Sequence, residues 1–532
     1  MLSKSIQTAE KVNSFQHISI ITIIGENIKF FLKSLYFRHI IWYSIYIVEC
    51  EVNDEMKRQS GILMHISSLY GDYSIGNFGK NAIEFIDYIK ELGFSVWQVL
   101  PFTVTDEYNS PYKSFSAFGG NPYFVDPETL FEKGYISASD LESCKQETPY
   151  SSEYKRLAKE RMSLLRKAYL NCNEKEKTED FIANHPRFEA FCRFMTLREQ
   201  NGQKPWQEWK INEITDFETL GMWQFIQYEF FTQWAKIKEY ANSKGVSIIG
   251  DIPIYVSDDS CDVWENKSLF QLNEKGYPTR VSGVPPDYFA EDGQLWGNPL
   301  YDWDELEKDG FGWWKERMDH ALEMFDGVRI DHFRAVEAYW SVGADEKTAR
   351  NGIWVKGPGM KLVDAIKKGH EDKMIIAEDL GDITDEVRAL VEESGFPGMR
   401  VFQFGFLDGG NSVHMPHNYI RNSVAYSGTH DNNTLFGYLW ESGDEVRNRT
   451  LEYCGFSGGD WGGACPVLLR SIFASVSDLA IIPIQDLLMY GSDTRINTPG
   501  VADGNWSYRV TKEQLMNADR EFFKSLNRVY KR

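Results

Sequence analysis

From residue 61 onward the chain alternates short apolar runs with stretches of helical periodicity, and this rhythm constrains the fold more than any other feature. Eight runs qualify as strands: residues 61–66, 96–100, 246–251, 327–331, 374–378, 399–404, 424–427 and 479–484. They are short and largely apolar, as strands of a parallel sheet wrapped in helices are. Between the first two runs Ala82, Phe85, Ile86 and Ile89 recur at the spacing of one helix face. Eight such units suit a closed (β/α)8 TIM barrel, although an open doubly wound sheet shows the same alternation and periodicity does not separate them. Between the second and third runs lies an insertion at about 106–209, expected to be a helical subdomain on the catalytic face. In it Ala158, Met162, Leu165 and Tyr169 are read as one helix face.

The acids argue for the barrel. Asp331 closes the fourth run two residues after Arg329, so on a strand both side chains share one face while Val328 and Ile330 take the other. A guanidinium beside a carboxylate keeps it ionised, as a nucleophile requires. Glu378 ends the fifth apolar run, where partial burial favours a proton donor. Asp431 follows the seventh run beside His430. A single acid after a strand is often no more than a helix cap. Acids after strands four, five and seven of a barrel would all face one mouth.

The composition sets limits on what such a mouth serves. A net charge of −21 opposes attraction to nucleic acid or to an anionic membrane, so a neutral substrate is expected. The seven cysteines are scattered without a C-x-x-C pair, which predicts reduced thiols in a cytoplasmic protein. No pattern calls for a metal or cofactor. Residues 1–55 are rich in Ile, Phe and Tyr but interrupted by charges, and form no spanning segment. They are expected to be an extension outside the enzyme fold, which then occupies 56–532. The segment 281–303 is long for a barrel connection and carries Tyr288, Phe289, Trp296 and Trp303 among glycines and prolines. It is expected to be an active-site lid that presents aromatic faces to the substrate.

Four segments, Asp251-Ile-Pro-Ile-Tyr-Val256, Arg329-Ile-Asp331, Ala377-Glu-Asp379 and Thr429-His-Asp431, resemble the short signatures of the α-amylase clan. Ser110-Pro-Tyr112, Phe118-Gly-Gly-Asn-Pro122, Gly283-Val-Pro-Pro-Asp-Tyr-Phe289, Gln294-Leu-Trp-Gly-Asn-Pro299, Arg495-Ile-Asn-Thr-Pro-Gly500 and Gly504-Asn-Trp506 resemble the 4-α-glucanotransferases of glycoside hydrolase family 77. The resemblance runs from about residue 60 to 509. It implies a retaining double displacement on α-1,4-glucans, with Asp331 as nucleophile, Glu378 as general acid/base and Asp431 as transition-state stabiliser. Arg329 and His430 would support them. Tyr112, Asp251, Tyr288, Phe289, Gln294 and Trp296 would bind substrate. The sequence departs from the family at Tyr70, where proline is common, at Ala335 in place of glycine and at Asn433 in place of a frequent Asp. Interception of the same intermediate by water would make the protein a hydrolase. A non-catalytic glucan-binding barrel would have no need of all three acids.

Overall fold

In the computed structural model, which describes residues 58–286, 290–407, 412–501 and 503–532, each of the eight runs overlaps a strand. The barrel strands are β1 (Gln59–Leu63), β2 (Val96–Gln98), β3 (Ser247–Pro253), β6 (Gly327–Asp331), β9 (Met374–Ala377), β10 (Gly398–Val401), β11 (Ser423–Tyr426) and β12 (Leu479–Pro483). Four further strands, β4 (Arg280–Val284), β5 (Gln294–Pro299), β7 (Ala338–Gly343) and β8 (Ile353–Lys356), stand outside the barrel. Every neighbouring pair is parallel, and β1 closes on β12 with Gly61 opposite Ile481. The alternative of an open sheet is thereby removed.

Strand parity divides the core in two. Leu63, Val96, Ile249, Ile376, Met399, Val424 and Ile481 fill the barrel. Their neighbours Ile62, Trp97, Ile248, Val328, Ile375, Ala425 and Ile482 pack outward into the layer beneath the helices. Helix Lys80–Glu91 turns Ala82, Phe85, Ile86 and Ile89 into that layer, each fully buried. Burial of each of the three larger side chains contributes roughly 1.5–3 kcal/mol.

The chain between β2 and β3 holds helices Pro127–Glu132, Ala138–Ser143, Tyr154–Asn171, Lys175–Ala183, Pro186–Gln200 and Phe217–Ser243. The expected inward face of Tyr154–Asn171 needs correction: Ala158 is exposed, and Leu157, Arg161, Leu164, Leu165 and Ala168 are the buried residues. Arg161 hides the phase of this helix. Its guanidinium is buried by donating to the carbonyls of Tyr123 and Val125 at 3.0 and 2.7 Å, so a charged residue holds an inward position.

The segment 281–303 also differs from a loop. It contributes β4 (Arg280–Val284) and β5 (Gln294–Pro299), which pair antiparallel and join β7 (Ala338–Gly343) and β8 (Ile353–Lys356) in a separate sheet of order β5-β4-β7-β8. Gly283, Pro285, Pro286 and Gly293 conceal the strands in the sequence, and the partner of β4 lies beyond β6 in the chain. Tyr288 and Phe289, as well as residues 1–55, lie outside the described residues. Among the described residues no helix is long and apolar enough to cross a membrane.

Candidate active site

Register sets the first contact of the site. Asp251 of β3 stands opposite Arg329 of β6, and both lie on the inward face. One Nη of Arg329 donates to the two Asp251 oxygens at 2.9 and 2.7 Å. Its other Nη reaches Asp331 Oδ1 at 2.8 Å, and Nε points to Met399 Sδ at 3.4 Å. The guanidinium thus fixes two carboxylates from neighbouring strands, one buried and one open: Asp331 leaves 30% of its side chain exposed. Burial pushes the Asp251 carboxyl up to about 6 against the opposing pull of Arg329.

Glu378 follows the last residue of β9, and the ladder between β6 and β9 continues past both strands. The Glu378 N–H donates to the Ile330 carbonyl at 3.1 Å, and the Phe333 N–H donates to the Glu378 carbonyl at 3.1 Å. The acid after β9 is therefore held against the acid ending β6. Each Glu378 oxygen accepts a backbone N–H, Oε2 from His332 at 2.7 Å and Oε1 from Leu380 at 2.9 Å. Burial nonetheless raises this carboxyl well above the ordinary carboxylate range; Arg329 opposes the rise and Asp331 adds to it.

Asp431, in the turn after β11, is held differently. Burial would raise its carboxyl, but His430 and Asn497 hold it down at about 2. His430 Nε2 lies 3.2 Å from Asp431 Oδ2, and Asn497 Nδ2 donates to Oδ1 at 2.6 Å. The Arg495 guanidinium holds the Asp431 carbonyl at 3.0 Å. Tyr112 closes the circuit: its hydroxyl donates to Asp251 Oδ2 at 2.7 Å, and its ring stacks on His430 with centroids 4.9 Å apart and planes at 16°.

Tyr112, Asp251, Arg329, Asp331, Glu378, His430 and Asp431 are thus joined in one barrel mouth by direct contacts or adjacent strands. Trp296 on β5 reaches its edge, packing against His332 at 4.7 Å. Gln294 is exposed and accepts the Trp296 indole N–H at 3.1 Å. Trp303 is turned away from the mouth, packed on Tyr301 and Trp314. Three participants were not anticipated by the sequence reading: Asn497, Trp506, whose ring lies 5.9 Å from Tyr112 and 6.0 Å from His430, and His332. Arg495 to Gly500 and Gly504 to Trp506 stood out as motifs, yet nothing local tied them to Asp431. Among the described residues no group of three or more His, Cys, Asp or Glu side chains is arranged to hold a metal ion. An acid kept protonated, an acid kept ionised, and an open carboxylate beside an arginine are the parts needed to cleave a glycosidic bond.

Comparison with known proteins agrees with this chemistry. The family model described as 4-alpha-glucanotransferase matches residues 64–515. A 4-alpha-glucanotransferase of Clostridium butyricum is 43% identical over 490 residues, covering 88% of this chain and 100% of that one. One from Streptococcus pneumoniae is 42% identical over 495 residues, covering 90% and 98%. The solved structure of an amylomaltase from Streptococcus agalactiae in complex with acarbose is similar with a TM-score of 0.86 at 38% identity, covering 89% of this chain and 99% of that one.

Proposed function

The chain belongs to the 4-alpha-glucanotransferases of glycoside hydrolase family 77, and from that premise we propose how its own residues divide the work. The reaction moves an α-1,4-glucan segment from a donor to the 4-hydroxyl of an acceptor by a retaining double displacement. Asp331 attacks the anomeric carbon while Glu378 gives its proton to the departing glycosidic oxygen. The observation that carries this division is the opposite electrostatics of the acids. Burial keeps Glu378 protonated, whereas the Arg329 guanidinium lies on Asp331. The glucosyl ester on Asp331 is then attacked by the acceptor hydroxyl, whose proton returns to Glu378.

Asp431, held ionised, faces the positive charge that develops at the sugar ring. Arg329 fixes the nucleophile, His430 orients Asp431, and Tyr112 with Asp251 lines the donor sugar site. Trp296 and Gln294 on β5, with Tyr288 and Phe289 shortly before it in the sequence, bind the acceptor side and exclude water. Positioned acceptor hydroxyls reach effective molarities of roughly 10⁵–10⁸ M, which gives transfer its advantage over hydrolysis. The substrates are maltooligosaccharides and starch or glycogen fragments. The scattered thiols suit the reducing cytoplasm.

The test is product analysis with pure maltotriose. The protein should release glucose and longer maltooligosaccharides, and Asp331→Ala and Glu378→Gln should each abolish both products while leaving the circular dichroism unchanged. Near-normal turnover of maltotriose by Glu378→Gln would overturn the assignment of the proton donor.

A further inference from the structure

His332 stands between β5 and Glu378, and the mechanism above makes no use of it. It directly follows Asp331 and adopts a left-handed backbone, φ 54° and ψ 44°. Residues with side chains adopt that conformation uncommonly, asparagine, aspartate and histidine more often than the rest. Two contacts are in place. Its backbone N–H donates to Glu378 Oε2 at 2.7 Å. Its imidazole lies edge-on against Trp296, with centroids 4.7 Å apart and planes at 84°. Burial pushes the imidazole down to about 4, so near neutral pH the ring is uncharged and packs as an aromatic. Trp296 is anchored in turn by its bond to Gln294 and by the ring of Tyr255 at 6.4 Å.

We infer that His332 is a positioning residue coupling the lid strand to the acid/base: Trp296, seated on its imidazole, holds residue 332 left-handed, and that backbone aims its N–H at Glu378. The inference rests on the reading of Glu378 as acid/base. An N–H donated to a carboxylate favours the ionised form. With Trp296 seated, Glu378 has two such donors. It then releases its proton to the leaving glucan more readily and holds the base form that receives the acceptor's proton. With Trp296 displaced, only the Leu380 N–H at 2.9 Å remains in place. Readiness of the acid/base thereby follows the seating of Trp296 on His332.

The charged groups around Glu378 are otherwise engaged. Arg329 and Asp331 face it from β6 and pair with each other. Asp251 on β3 is held by Arg329, Arg400 on β10 pairs with Asp379, Arg334 donates to the Asp382 carbonyl, and His430 pairs with Asp431. The His332 N–H is the contact to Glu378 that depends on β5.

The experiment is the pH profile of kcat/KM for maltotriose disproportionation. Activity falls on the alkaline side as Glu378 loses its proton. Trp296→Ala and His332→Ala, each weakening one of two N–H donors, should move that limb upward by about one pH unit. His332→Asn is the rescue, because asparagine adopts the left-handed backbone readily. It should keep the wild-type limb and make it insensitive to Trp296→Ala. A Trp296→Ala profile that is lowered throughout with its limb unmoved would overturn the coupling, as would a His332→Asn limb displaced like that of His332→Ala. Should His332→Ala fail to fold, the asparagine and Trp296 variants still decide. Near-normal turnover and an intact alkaline limb in Glu378→Gln would instead overturn the assignment of Glu378.

Discussion

Arg329→Lys should lower kcat for maltotriose disproportionation about 10- to 100-fold in a protein that still folds. The guanidinium serves two carboxylates at once, bonding both oxygens of Asp251 at 2.7–2.9 Å with one nitrogen and Asp331 at 2.8 Å with the other. Lysine offers one ammonium on a flexible stem and cannot present a planar fork to both. The charge should settle on Asp251, since that carboxylate is buried and leaving a buried charge unpaired costs roughly 3–5 kcal/mol. Asp331 then loses a charge-assisted hydrogen bond worth about 1.5–3 kcal/mol. At about 1.4 kcal/mol per factor of ten, this corresponds to roughly one to two orders of magnitude if the bond acts fully in the transition state. Initial rates of glucose release at saturating maltotriose, with a melting curve as the folding control, measure the effect. A folded variant within threefold of the wild-type kcat would refute the claim that Arg329 fixes the nucleophile.

Asn497→Ala should cut kcat at least several-fold with little change in melting temperature, because it removes a donor to Asp431 Oδ1 from a carboxylate whose side chain is 45% exposed; steady-state kinetics on maltotriose check it. A chain beginning at Met56 should be stable and as active as the full chain, as gel filtration and the same assay would show; an insoluble or inactive product would make residues 1–55 part of the fold. Tyr288→Ala with Phe289→Ala should raise the ratio of reducing ends released to chains elongated, since a lid that no longer excludes water favours hydrolysis; an unchanged ratio would separate these two residues from acceptor choice.

The barrel was legible because its physics is local. Strands buried on both faces are mostly apolar, and helices covering them must carry one apolar stripe, as Ala82, Phe85, Ile86 and Ile89 do. The periodic signal fails where a long-range partner changes what an inward position tolerates. Arg161 occupies a buried helix position because the carbonyls of Tyr123 and Val125 receive it. The strands β4 and β5 are obscured by Gly283 and Gly293, and β4 pairs with β7 across an intervening barrel strand. No window around residue 283 contains that information.

The site divides along the same line. Asp331, Glu378 and Asp431 are legible because a strand end in a parallel barrel is a position, and three acids at such ends converge on one mouth. What each acid does is decided by groups that the pattern does not place. Glu378 and Asp431 are both carboxyls in the barrel mouth, yet burial lifts one while His430 and Asn497 hold the other at about 2. Asn497 comes from a segment 66 residues downstream, and the His332 N–H reaches Glu378 through a left-handed turn that the residue type alone does not announce. An arginine two residues before an acid marks Asp331 in the sequence, whereas the protonated and ionised states of its two partners arise only when distant loops meet. Changing Asn497 or His332 should therefore move pH dependence and rate while leaving every signature of the barrel intact.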